Sequence, residues 1–237
     1  MIARGVIAGE MKRAFPILAV VTAILLAYAF YEAIWVAPME RTMGDVQRIF
    51  YYHVPSAWTA FLLFFVNLIA SVIYLVRRNP RADAVALVSA EVGVVFCTIV
   101  LVTGPIWARP VWGIWWTWDI RLTTTLVLWL IYVSYLVLRR FSDSSQTPKL
   151  AAVLAIFGAL DVPLVYFSIW FFRTQHPQPV IGGGGSIDPR MLHVLLINWL
   201  AFSCLALVVC WARYRLELLQ REVEEVESLE LLRGVPQ

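Results

Sequence analysis

Six runs of about twenty mostly apolar residues leave this chain little choice of fold. They lie at roughly 17–36, 57–76, 85–106, 122–138, 150–172 and 190–211. Each is long enough to cross a bilayer as a helix. Of 237 residues, 61% are apolar or aromatic and 15% are charged, too apolar for a water-facing surface around one core. An ordinary soluble enzyme, a disordered chain and a disulfide scaffold are excluded. The expected fold class is an all-α polytopic membrane protein of six spans. No cleavable leader pattern precedes the first run, which reads as a retained anchor.

Several ends carry helix signals. Pro55 is expected as the first helical residue of span two, Asp119 as the cap of span four and Pro189 as the start of span six. Asp161 and Pro163 are expected to kink span five. Residues 1–212 form the expected membrane domain and 213–237 an amphipathic acidic tail. In the tail Leu216, Leu219, Val223 and Val226 recur at helical spacing, and Arg213/Glu217, Glu217/Arg221 and Arg221/Glu225 stand four apart. A solvated end of span six is the expectation; docking onto a partner is the sharper alternative.

An even number of spans puts both termini on one side, and Lys and Arg choose that side. Thirteen of the 19 basic residues fall on the side of the termini and six on the other. Both termini are therefore expected in the cytoplasm, and segments 37–56, 107–121 and 173–189 outside. The net charge of +3 carries no further information, and no nucleic-acid partner is expected. Cys97, Cys204 and Cys210 lie in apolar runs without a C-x-x-C pair, and no C-x-x-C-H is present to attach a heme covalently.

The second outer segment is the unusual one. Between positions 107 and 118 it holds five of the chain's eleven tryptophans, Trp107, Trp112, Trp115, Trp116 and Trp118, and from Arg109 it reads R-P-V-W-G-I-W-W-T-W-D-I-R-L-T. Interfacial tryptophan accounts for one or two. As a helix, the segment would place Trp112, Trp115, Trp116 and Asp119 on one face. Such a platform suits a large, flat, apolar ligand with an anionic edge, met by indole N–H and the Arg121 guanidinium. Heme has that form, with an iron that needs axial ligands. For Asp119 helix capping outweighs ligand contact; for Arg121 the plain alternative is a snorkelling interfacial side chain.

The chain has three histidines. His53 and His176 fall in outer segments on either side of the tryptophans and are the candidate axial pair. His193, a turn inside span six, reads as a buried, hydrogen-bonded residue. Glu32, Glu91 and Asp161 read as interhelical hydrogen-bonding groups.

The stretch Trp112-Gly113, Trp116, Trp118-Asp119 and Arg121-Leu122-Thr123 resembles the tryptophan-rich "WWD" signature of the CcmC family of cytochrome c biogenesis. Arg48-Ile49 running into His53-Val54-Pro55-Ser56-Ala57-Trp58 is similar as well, as are the six-span layout and a third outer loop with its own His. The resemblance covers about residues 15–212. CcmF and CcsA proteins carry related signatures but are longer, with more spans. The resemblance implies heme b held at the outer face of the bacterial cytoplasmic (inner) membrane. His53 and His176 would be its axial ligands, the tryptophans with Asp119 its platform, and Arg48 and Arg121 its propionate contacts. It also implies delivery of heme to the chaperone CcmE, with CcmD and the CcmA–CcmB ABC transporter as partners. No G-x-x-x-x-G-K-[ST] occurs, so any ATP use is expected from a partner. A CcsA-like heme lyase, a transporter moving heme through its own helices, and an assembly subunit merely anchored by its tryptophans are the alternatives.

Overall fold

The computed structural model describes residues 2–142, 144–172, 174–177 and 187–234, and side chains from residue 14 to 231. Seven α-helices account for most of it: α1 (Ile2–Tyr31), α2 (Phe50–Arg77), α3 (Pro80–Trp112), α4 (Ile120–Phe141), α5 (Thr147–Ala159), α6 (Asp161–Phe171) and α7 (Pro189–Arg233). No strand occurs among the described residues. Six stretches are long and apolar enough to cross a membrane, α5 and α6 together forming the fifth. Large apolar side chains such as Ile17, Ile24, Phe65, Val76 and Phe157 stand exposed along the helices. Lipid covers such a surface; water would not tolerate it.

The helix ends follow local chemistry. Asp119 is extended and its carboxylate accepts from Leu122 N–H at 3.0 Å, capping α4 as expected. Asp188 does the same for α7, with Pro189 in its first turn. Asn79 caps α3 after Arg78 has taken a left-handed φ of 52°. Leu160 separates α5 from α6. Pro163 lacks the N–H that would continue the ladder, so the expected interruption of span five is present.

Span two departs from expectation. Pro55 is not its first residue; α2 begins at Phe50, fed by a 3-10 turn at Asp45–Ile49. The cause is a small core at this end, where Phe50 and Tyr51 pack with Ala33, Ala37, Val194 and Leu195. His53 consequently sits in the first turn of α2 and is buried, not at the end of a loop. His193 is the reverse case: it is exposed on α7, not buried.

The main core lies between α2, α3, α4 and α5. Phe64 of α2 stacks on Tyr132 of α4 with ring centroids 3.8 Å apart. Gly93 of α3 makes room for that ring: a Cβ there would stand 2.7 Å from Phe64 Cε1. Gly93→Ala is therefore expected to destabilise the protein by about 1–3 kcal/mol, read as a lower midpoint in denaturant titration in micelles.

Helix α7 has 45 residues, about 68 Å, and outruns the ~30 Å hydrocarbon core. The expected boundary at 212/213 falls inside this uninterrupted helix. Its first turns beyond the boundary do not form a freely solvated end. Arg213 pairs with Glu91 of α3 at 2.8 Å, which gives Glu91 its interhelical partner. Arg221 pairs with Asp83 of α3 at 2.8 Å. Glu217 accepts from both Arg213 and Arg221. Arg221 therefore turns to Glu217 and Asp83, not to Glu225. The charged face points inward because α3 offers carboxylates there, and Leu216, Leu219, Val223 and Val226 are left outward. Glu32 is buried in the single π turn that ends α1, and Asp161 Oδ2 is buried without a hydrogen-bond partner.

Candidate functional site

Two adjoining cavities open at the end of the bundle opposite the Asp83 cluster. Both are lined by His53, Ala57, Phe61, Trp107, Arg121, His176 and Pro177. The first also takes in Trp112 and Trp116. The second runs on to Trp58, Tyr166, Leu196 and Trp199. The chain thus brings His53, His176, Arg121, Trp112 and Trp116 to one place from α2, α3, α4 and two connecting segments.

The tryptophan segment is not one helix. Trp112 is the last residue of α3, and Gly113 ends it with φ of 79°. Residues 114–119 run irregularly to the cap of α4. The single face expected for Trp112, Trp115, Trp116 and Asp119 therefore does not form. Trp112 and Trp116 line the cavity, while Trp115 and Trp118 are 59% and 76% exposed and lie outside its lining. Trp116 and Trp118 meet edge to face at 5.7 Å.

Asp119 does more than cap α4. Its Oδ2 accepts the Thr174 hydroxyl at 2.6 Å, and Thr174 Oγ1 accepts the backbone N–H of His176 at 3.1 Å. The end of the tryptophan segment thereby fixes the loop that carries the second histidine. The His176 Nδ1 lies 2.9 Å from the Pro177 carbonyl. A carbonyl only accepts, so Nδ1 carries the proton and Nε2 keeps its lone pair. Burial, and then the Arg121 guanidinium, push the His176 imidazole down to about 4, so the ring is neutral at pH 7. His53 lies under Trp107, ring centroids 5.8 Å apart, with its Nδ1 2.8 Å from Thr103 Oγ1.

The donors in the cavity are largely unspent. The indole N–H groups of Trp107 and Trp116 are buried without a hydrogen-bond partner. Arg121 reaches the Val165 and Tyr166 carbonyls only at 3.5 Å. Two neutral imidazoles, two free indole donors and a guanidinium around an apolar space fit a flat apolar molecule that has a metal centre and carboxylates. Arg48 does not line either cavity. Its guanidinium donates to the Ala33 carbonyl at 2.8 Å and to Asp45 at 3.1 Å, tying α2 to the end of α1.

Sequence reasoning singled out neither Thr103 nor Thr174, and it gave Trp107 no role of its own. Trp107 stands five residues before the tryptophan string, within α3. The two threonines act through single hydroxyl contacts between distant segments, which leave no mark on spacing. The Gly182–Gly185 run, Pro179 and Arg173, which fall within the third outer segment 173–189, lie outside the described residues.

The chain is similar to known proteins along most of its length. The chain is 38% identical over 224 residues to heme exporter protein C of Bradyrhizobium diazoefficiens, covering 93% of this chain and 85% of the relative. It is 32% identical over 222 residues to heme exporter protein C of Escherichia coli K12, covering 92% and 90%. A ccmC-like mitochondrial protein of cytochrome c biosynthesis from Marchantia polymorpha is 35% identical over 179 residues, covering 75% and 76%. The profile described as "CcmC: Heme exporter protein C" matches residues 5–228, and with two histidines, Arg121 and the tryptophans gathered at one end of six spans, this chain belongs to the CcmC family.

Proposed function

We propose that this protein is the heme-holding membrane subunit of a heme exporter in cytochrome c maturation. Its cargo is heme b, and the cavity at the end of the bundle is where that cargo rests. The observation that carries the reading is the meeting of His53 and His176, from α2 and the loop before α7, in one cavity with Arg121 and two unpaired indole donors.

Each residue then has a task. His53 and His176 each offer a neutral ring nitrogen to the iron. Trp112 and Trp116 flank the macrocycle, and Trp107 covers His53. Arg121 and the indole N–H groups of Trp107 and Trp116 receive the propionates. Trp115 and Trp118, exposed at the rim, would meet the heme edge or the acceptor. Asp119 holds Thr174 and through it His176. Arg48, bonded to Ala33, supports the end of α2 on which His53 stands.

The site runs inward along α2 and α3 as far as Phe61 and Cys97, and its mouth lies at the span ends, where a second protein can reach it. The acceptor in this reading is the chaperone CcmE, and the complex includes CcmD and the CcmA–CcmB ABC transporter. ATP chemistry belongs to those subunits; this chain binds and hands over, and it is not an enzyme. In this reading both ends lie in the cytoplasm of a bacterial inner membrane and the cavity faces the periplasm, which the excess of basic residues on the side of the termini supports.

Absorption spectra of purified protein supplied with hemin test the reading. Wild type is expected to show a low-spin six-coordinate heme, and the His53→Ala/His176→Ala double variant to lose it. Identical spectra from the two proteins would overturn the axial assignment.

A further inference from the structure

We propose that Thr103 is a positioning residue: its hydroxyl oxygen accepts the proton of His53 Nδ1 and so fixes Nε2 as the nitrogen with a free lone pair. The inference rests on the heme-ligand reading above and extends it to a residue outside the cavity lining.

The argument is a proton count. Thr103 Oγ1 carries one hydrogen. It stands 2.6 Å from the Ile99 carbonyl oxygen, with the Val100 carbonyl at 3.5 Å. Two oxygens 2.6 Å apart hold that separation only with a proton between them. The hydroxyl proton is therefore spent on Ile99. The same oxygen is 2.8 Å from His53 Nδ1, and toward that nitrogen it has only lone pairs to offer. Nδ1 must be the protonated nitrogen, and a neutral ring then has its lone pair on Nε2.

The two histidines reach the same tautomer by different means. His176 gives its Nδ1 proton to Pro177, its own neighbour, so ring and acceptor travel together with the loop. His53 gives its proton to a different helix, and α2 and α3 form the most extensive helix pair in the molecule. The orientation of His53 is thus part of the fold, while that of His176 is part of a loop. Thr103 accordingly makes His53 the retained ligand and leaves His176 as the one released on transfer. A hydroxyl acceptor, unlike a carboxylate, also draws little of the proton away, which keeps the ring from becoming a stronger ligand than a transfer site can use.

Thr103→Val removes the acceptor and Thr103→Ser keeps it. Two readouts separate the proposal from the heme reading. The first needs no heme: ¹⁵N chemical shifts of the His53 ring in the heme-free protein. Wild type and Thr103→Ser are expected to show Nδ1–H, and Thr103→Val a shift toward Nε2–H. The second is hemin binding, where Thr103→Val is expected to lose affinity by about tenfold or more and Thr103→Ser to match wild type. Should Thr103→Val fail to accumulate, Thr103→Ala carries the same two readouts. An unchanged Nδ1–H tautomer in the variant without the hydroxyl overturns the proposal, whatever happens to heme. A wild type that binds no heme but shows the tautomer change overturns the proposed function and leaves the Thr103 assignment standing.

Discussion

His53→Ala is expected to lower heme affinity by at least about a hundredfold, because losing a ligand costs more than losing a group that merely orients one, itself worth about 10–100-fold. His176→Ala is expected to do less. Heme stays in the cavity on His53, Arg121 and the tryptophans, and the spectrum moves from low-spin to five-coordinate high-spin. Added imidazole should restore the low-spin form in His176→Ala, where the lost ring stood on a connecting segment, and should restore little in His53→Ala, where the ring is packed under Trp107. The measurement is a hemin titration followed by the Soret band. Equal losses in the two variants would remove the distinction between a retained and a released ligand.

Acid offers a test of His176 without mutation. The His176 ring titrates at about 4 against an ordinary value of 6.5, so the folded loop prefers it neutral. The unfolded chain takes up its proton first, and this loop conformation loses stability as pH falls from about 6.5 to about 4. Between pH 7 and 5 the bound ring remains an available ligand. Below about 4 protons compete directly for His176, and the low-spin band is expected to convert to high-spin there.

Much of this was legible in the amino-acid order, for definite reasons. A span is recorded as an apolar run, and a cap as Asp or Pro at a run's edge, so six spans, Asp119, Pro189 and the break at Asp161–Pro163 could be read directly. The pair His53 and His176 and the concentration of tryptophan marked one end of the bundle. The helical option for the tryptophan segment, suggested by the spacing of positions 112, 115, 116 and 119, is not the one the chain takes. The contrary signal was Gly113, which takes φ of 79° and ends α3. His193 was misread because in a membrane helix both lipid-facing and bundle-facing positions are surrounded by apolar residues. Periodicity then cannot say which way one polar residue points. Thr103 and Thr174 were invisible because a hydroxyl contact between distant segments has no pattern in sequence.

The tail continues the helix of span six as expected, but its first turns were read by soluble-helix logic although they have charged neighbours. On α3, Asp83 and Glu91 face the first turns of the tail, and on α4 Arg139 reaches Asp83 through both carboxylate oxygens. Three carboxylates and three guanidiniums, Asp83, Glu91, Glu217, Arg139, Arg213 and Arg221, form one connected neutral network across α3, α4 and α7. Asp83 is its hub: its side chain is 6% exposed and holds Arg139, itself 10% exposed, and Arg221, 28% exposed. Asp83→Ala would leave the largely buried Arg139 without its carboxylate partner and Arg221 with Glu217 alone. Breaking a buried pair in this way costs about 3–5 kcal/mol, more than any other single change considered above. The expected result is a large fall in the unfolding midpoint in micelles, with the helix beyond residue 212 becoming open to protease. Asp83→Ala/Arg139→Leu, which removes one stranded charge together with its partner, should recover part of the loss. The heme spectrum of the protein that remains folded should be unchanged, since the cluster and the cavity lie at opposite ends of α3. A spectrum altered in step with stability would mean that the two ends of the bundle are coupled, with the long helix α3 as the element that joins them.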